Sequence, residues 1–320
     1  MSGFNYTTTN LLADIKRKAF VPTSQITFDD LGLLDMADEE MQIGLVPFIM
    51  TAREEYLVNY KDYLVDGTTR TLEMPKRAIG AKLRAVTVLL NMGTSPLLPN
   101  ERRLPEINSE DAVFNNTFSN YLSLQSFFLR ENNVILSPGV QSFIGQTIRM
   151  YYFQRPNKLI QTSACSQVTS ILGNQVTVNL IPTNFIQGQT NSIVIDLVKA
   201  EPPFKLLSTE LTVIVDSTNN TITFPDDVST YNLTIGDYIC LAGESPIPMI
   251  PVELQSLLAQ RVAVKILASL GDEKNFQIAT DRLKEMEHNA KGLLANRVEG
   301  SNRKVINQFG PMNLNPFRRF

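Results

Sequence analysis

The chain has only 2 cysteines in 320 residues, Cys165 and Cys240, and 1 histidine and no tryptophan. Two thiols cannot supply a disulfide framework, and neither has a metal-ligating neighbour at useful spacing, so a reducing cytoplasm is expected. The lone histidine, His288, has no Cys or His companion, and a catalytic or metal role would need convergent partners. It reads as a solvated helix position. Long apolar runs are missing: no stretch of about 18 apolar residues occurs, and the first ten residues carry no basic segment followed by an apolar one. No membrane span or secretion signal is expected. Charge is scarce as well. Charged residues make up 19%, below the roughly 25% usual for soluble domains, which is expected where other protein covers part of the surface. A net charge of -3 also lacks the basic excess of a dedicated nucleic-acid binder.

What is present can build a sizeable core, since 43% of the residues are hydrophobic. The length predicts two domains, or one core with a large insertion. In residues 27–56, Phe28, Leu31, Leu34, Ile43 and Val46 recur at helical intervals among acids, with Asp29 and Asp30 near the helix start and Pro47 dividing the run. Residues 56–65 read as extended, and Asp66-Gly67 predicts a hairpin with residues 68–74. A strand is expected over 82–90, a surface loop over 94–110, a strand pair around Glu131-Asn132-Asn133, and a strand over 147–153. Residues 165–242 are rich in Ser, Thr, Asn, Val and Ile with recurring turn signals, which predicts a small sandwich or barrel. Its strands are expected at 168–172, 175–180, 192–198, 211–215, 221–224 and 238–241.

Helical character returns after Pro251, placed at a first helical position. Leu254, Leu257, Leu258, Ile266, Leu267 and Leu270 line one side of a helix ending at Gly271. A second helix, expected over 273–297, carries Phe276, Ile278, Leu283, Met286, Leu293 and Leu294, and the short link makes the two antiparallel. Beyond Gly300 periodicity stops. The apolar residues Val305, Ile306, Phe309, Leu314, Phe317 and Phe320 stand isolated among polar ones and suggest docking into another protein. The fold class is therefore α+β, with residues 1–160 a helical and β body, 161–245 a β-rich insertion, 246–300 a helical pair and 301–320 an extended tail.

No nucleophile elbow, zinc-protease motif, phosphate loop or dinucleotide fingerprint occurs. Asp29-Asp30, Asp38-Glu39-Glu40 and Glu54-Glu55 are paired acids, but neighbours on a helix diverge by about 100° and do not converge as an acid–base pair would. No enzymatic activity and no cofactor are expected. The aromatic and basic run of residues 149–156 admits a nucleic-acid reading through stacking, but an alternating strand with half its aromatics in the core is the stronger one. Charge separates along the chain. Residues 28–56 are acidic, whereas from Lys291 onward Arg297, Arg303, Lys304, Arg318 and Arg319 face only Glu299. In a ring, an acidic helix carrying Asp29, Asp30, Asp38, Glu39 and Glu40 would line a channel without adhering to DNA, and a basic tail would clasp an acidic neighbour; charge alone equally fits a solvated helix face and a frayed terminus.

Several phrases in order along the chain resemble the head-to-tail adaptor proteins of tailed phages, above all the portal-binding ring proteins of short-tailed and crAss-like phages. They are Leu72-Glu73-Met74-Pro75-Lys76-Arg77-Ala78, the strand 82–90, Asn133-Val134-Ile135-Leu136-Ser137-Pro138, Ile148-Arg149-Met150-Tyr151-Tyr152-Phe153-Gln154-Arg155-Pro156, Gly236-Asp237-Tyr238-Ile239, and residues 251–272 with their Leu-Gly-Asp end. The resemblance implies a homo-oligomeric ring of about twelve copies beneath a portal protein, contacting a further tail ring or tail-tube protein. It implies passage of double-stranded DNA without sequence recognition, for genome retention and ejection from a virion assembled in the host cytoplasm. Docking on the portal would fall to Arg303, Lys304, Ile306, Phe309, Leu314, Phe317, Arg318, Arg319 and Phe320. The alternative is that the β-rich segment is an adhesin or glycan-binding module, with Phe185, Phe204, Phe224, Tyr231 and Tyr238 as its aromatic candidates.

Overall fold

The computed structural model describes residues 6–21, 28–90, 100–108, 125–186 and 192–294. The chain is α+β, built as a helical bundle, two facing small sheets and a closed six-stranded barrel.

The bundle comprises α1 (Thr8–Lys18), α2 (Asp30–Glu39), α3 (Val46–Arg53), α4 (Val252–Leu270) and α5 (Glu273–Leu294). Its centre is α4, whose Leu254, Leu257, Leu258, Ala259, Val262, Ala263 and Ile266 are all buried against Leu11 and Ile15 of α1, Leu33 and Ala37 of α2 and Ile49 of α3. Each large apolar side chain buried here stabilises by roughly 1.5–3 kcal/mol relative to exposure. Helical structure continues through Pro47. A π-helical segment, Glu40–Leu45, precedes α3, and Pro47 falls in the first turn of α3, where its missing N–H costs little.

Gly44, within the π segment, lies where an added Cβ would collide with the Arg261 guanidinium and the Glu40 carboxylate. Glycine at this position lets the Arg261 guanidinium pass close to the backbone. Pro251 caps α4 rather than opening it, and Gly271 ends it in the left-handed conformation (φ 70°) expected of a C-terminal glycine. The antiparallel packing of α4 and α5 is as expected, tied by the buried Gln260 amide donating to the Ala279 carbonyl (3.0 Å). Ile278 (61% exposed) and Leu293 (67%) point outward; Ala279, Ala290 and Leu294 are the residues of α5 that are buried.

In the second unit, β1 (Val58–Leu64), β7 (Thr147–Gln154), β3 (Ala78–Leu90) and β4 (Asn100–Arg103) form an antiparallel sheet in that spatial order. A smaller sheet joins β2 (Thr71–Glu73), β6 (Asn133–Ser137) and β5 (Ser126–Arg130). The inward faces share one core, including Val86, Val88, Leu104, Phe127, Val134, Leu136, Ile148 and Met150. The hairpin expected across Asp66-Gly67 is not formed. β1 pairs with β7 (Tyr60↔Tyr151) and β2 with β6 (Leu72↔Val134), so the turn carries the chain from one sheet to the other. The expected loop over 94–110 also contains the edge strand β4, paired Thr87↔Arg103. The strand pair around Glu131-Asn132-Asn133 is as expected.

All six strands expected in the β-rich middle are present. β9 (Ser166–Leu172), β10 (Gln175–Val178), β11 (Ser192–Val198), β12 (Leu206–Asp216), β13 (Thr221–Thr223) and β14 (Tyr238–Leu241) close as β10-β13-β12-β11-β14-β9. Val168, Val176, Ile193, Ile195, Leu197, Val213, Ile222 and Ile239 fill the interior. The second half of β11, Ile195 to Val198, and Tyr238 to Cys240 of β14 are buried on both faces. Their outward Val198, Tyr238 and Cys240 pack against Ile247 and Met249 of the strap returning to α4. The strap is pinned by a short parallel pair, β8 (Lys158–Leu159) with β15 (Glu244–Ser245), and by the Thr8 amide donating to the Pro246 carbonyl (2.7 Å).

Candidate functional site

The acids of α2 and the π segment mostly face cations of their own chain. Asp29 caps α2, accepting from the Gly32 amide (3.0 Å). Asp30 pairs with Lys16 (2.5 Å), Glu39 with Lys265 (3.2 Å), and Glu40 with both Lys265 (2.8 Å) and Arg261 (3.2 Å). Arg261 reaches Glu287 of α5 as well (2.5 Å). Asp38 accepts from the Leu159 amide (3.2 Å), and partial burial pushes its carboxyl above the ordinary range. These contacts sew α2 and the π segment to α1, α4 and β8. Outward exposure remains at Asp30 and Glu39, whose side chains are 46% and 56% exposed, while Glu40 keeps 15%. The tail residues Arg303, Lys304, Ile306, Phe309, Leu314, Phe317, Arg318, Arg319 and Phe320 lie outside the described residues. His288 is exposed on α5.

The strongest polar cluster was not singled out in the sequence. Asp196, on the outward face of β11 and 0% exposed, pairs with Arg77 (2.6 Å) from the turn before β3. It also accepts from the Asn157 amide group (2.7 Å) and from the backbone amides of Glu210 (3.0 Å) and Gly243 (2.8 Å). Asn157 in turn accepts from Arg77 (3.0 Å) and donates to the Glu244 carbonyl (2.9 Å). One carboxylate thus joins the barrel, the two-sheet unit and the strap. A fully buried charge is tolerated only when paired and hydrogen-bonded like this. Its sequence signal was an aspartate inside the apolar run Ser-Ile-Val-Ile-Asp-Leu-Val.

On β7, Met150, Tyr152 and Phe153 are buried while Arg149 and Tyr151 face out, which is the alternating strand expected. Arg149 is held by Asp62 (2.8 Å) and Glu101 (2.9 Å) over the Tyr60 ring (4.0 Å), so its charge is neutralised within the sheet. In the barrel, Phe185, Phe204, Phe224 and Tyr238 are buried and Tyr231 packs on Phe224 (5.9 Å), so these rings form no exposed sugar-stacking platform. The outer wall carries aliphatic side chains instead: Leu172 is 79% exposed, Ile214 58% and Val194 43%, the last two on the paired strands β11 and β12.

An open cleft of about 780 Å³ lies between β3 and β5, bordered by Lys82, Arg84, Arg103, Glu106, Phe127 and Leu129. Along it β3 is irregular: the register to β7 shifts between Ala78 and Ala85, with Gly80 (φ 60°) and Ala81 (φ 51°) both in the left-handed region.

Among the described residues no group of three or more His, Cys, Asp and Glu side chains is arranged to hold a metal, and no helix is long and apolar enough to cross a membrane. Cys165 and Cys240 are free and buried; burial, then contact with Cys165, raises the Cys240 thiol well above its ordinary value. No protein-family model matches the chain, and no curated protein matches it in sequence.

Proposed function

We infer that the chain is a non-enzymatic structural protein of the head-to-tail adaptor type, working as a homo-oligomeric ring beneath a phage portal. The observation that carries this reading is the aliphatic outer wall of the barrel, at Leu172, Val194 and Ile214. Exposed aliphatic side chains of this kind favour coverage by another protein, and the barrel bearing them is tied to the body through buried Asp196. A module fixed in that way can carry load between neighbours. In this reading the barrel meets the next tail ring, residues 301–320 reach the portal, and the α2 edge with Asp29, Asp30 and Glu39 faces the DNA channel, while Asp38 and Glu40 brace it from behind. Like charge there would limit adhesion of passing DNA.

The test is electron microscopy of the full-length chain mixed with its cognate portal. A symmetric ring under the portal is the expected class average. Full-length protein that neither associates with the portal nor forms a ring on it overturns the reading.

A further inference from the structure

We propose that the cleft beside β3 receives an extended, acidic peptide segment of a partner protein as an added β-strand. The proposal does not depend on the ring reading. β4 pairs with β3 only from Thr87 onward, and the last contact in that lane is the Leu104 amide donating to the Val86 carbonyl (2.9 Å). There the chain turns away through Pro105, and Glu106 bridges to Phe127 of β5 instead. Residues 80–85 of β3 therefore continue past the end of β4; Leu83 and Ala85 pair with β7 on one edge, and the opposite edge has no strand beside it among the described residues. The vacated lane is the cleft. An unpaired strand edge presents backbone donors and acceptors that an extended peptide can satisfy.

The lining selects the occupant. Lys82, Arg84 and Arg103 stand at the rim against one carboxylate, Glu106. Arg84 is partly engaged by Glu54 (3.3 Å) and Lys82 sits 5.6 Å from the Phe153 ring centre, and both residues are exposed. An incoming strand with alternating side chains would place one set over Leu129, which is 38% exposed, and the acidic set toward the cations. The basic tail of this chain is excluded on charge. A nucleic acid is disfavoured because the floor ring, Phe127, is buried (6%) and offers no stacking face.

The experiment uses fluorescein-labelled synthetic peptides of about eight residues, one strand's length, and fluorescence anisotropy on the full chain. The alternating Glu/Val peptide is expected to bind saturably, at least about fivefold tighter than an alternating Lys/Val peptide, and to lose binding when its backbone is N-methylated at alternate residues. The double variant Lys82→Glu with Arg103→Glu, both at exposed positions, is expected to weaken binding by about tenfold with an unchanged urea midpoint. Equal binding of the two peptides, retention of binding by the N-methylated peptide or by the double variant, displacement by a single-stranded oligonucleotide at lower concentration than by unlabelled peptide, or no saturable binding would each overturn the proposal.

Discussion

The helical bundle and the barrel handle polar groups in opposite ways. In the bundle the core around α4 is apolar but for a few uncharged groups such as Gln255 and Gln260, and the charges sit in partly exposed pairs between helices, Glu39 and Glu40 with Lys265 and Arg261. In the barrel the outer wall keeps exposed aliphatics, while a full charge, Asp196, is buried where the wall meets the body. Partly exposed pairs each contribute little, about 0–1 kcal/mol, so the bundle depends on packing. The barrel's attachment adds to its apolar packing on the strap a polar junction whose members are costly to leave unpaired. The contrast separates a part that holds itself together from a part held to its neighbours.

The largest expected effect breaks that junction. Asp196→Ala leaves Arg77 and Asn157 without their carboxylate and should lower unfolding stability by about 3–5 kcal/mol, read from the urea midpoint. The double variant with Arg77→Met should lose less than the sum of the singles. If Asp196→Ala unfolds like the parent, the junction is not what fixes the barrel. Next is Gly44→Ala on the bundle side, where the added methyl meets Arg261 and Glu40. A cost of about 1–3 kcal/mol is expected, with a part recovered in the background Arg261→Ala.

A smaller effect concerns Lys18, whose ammonium donates to the Ser256 carbonyl (2.5 Å). Burial lowers its pKa to about 8 from 10.5. A folded-state pKa below the unfolded one means that the unfolded chain binds more protons between those values, so stability from this group rises as pH climbs from about 8 to above 10. The melting temperature of the parent relative to Lys18→Met should therefore increase from pH 7 to pH 10; a flat difference would remove the buried-amine explanation. The smallest effect on folding is expected at Ile214→Ser, within about 0.5 kcal/mol of the parent. If the barrel wall is the contact surface proposed, that variant should still lose co-sedimentation with the assembled complex. Unchanged assembly would point to another face.

Much of this architecture was readable along the chain because it follows from local periodicity. Barrel strands alternate buried Val and Ile with exposed residues, as at Val176, Thr177 and Val178 of β10 or Thr212 and Val213 of β12, and turn residues mark their ends. The α4–α5 pair is stated by its leucines and Gly271. Misreadings occurred where long-range pairing decides. Asp66-Gly67 has the composition of a hairpin turn, but β1 finds a more complementary neighbour in β7, about ninety residues later (Tyr63↔Ile148). β4 is Asn-Glu-Arg-Arg and shows no strand pattern, since an edge strand can be polar throughout. Ile278 and Leu293 fit the count of a helical stripe, yet α5 touches α4 over a narrower arc and buries Ala279 and Ala290 instead.

The amino-acid order alone determined the helical character of α2, α3, α4 and α5, the six barrel strands, and that α4 and α5 fold back on each other, because these depend on spacing within one element or its nearest neighbour. Tertiary structure decided which sheet each strand joins, that Asp196, Arg77 and Asn157 meet, that Glu39 and Glu40 pair with Lys265 of α4, and that β3 outruns β4 to leave a cleft. Such features bring together residues far apart in the chain, and only the packed fold gives the burial that turns an ordinary aspartate or a free strand edge into a point of attachment.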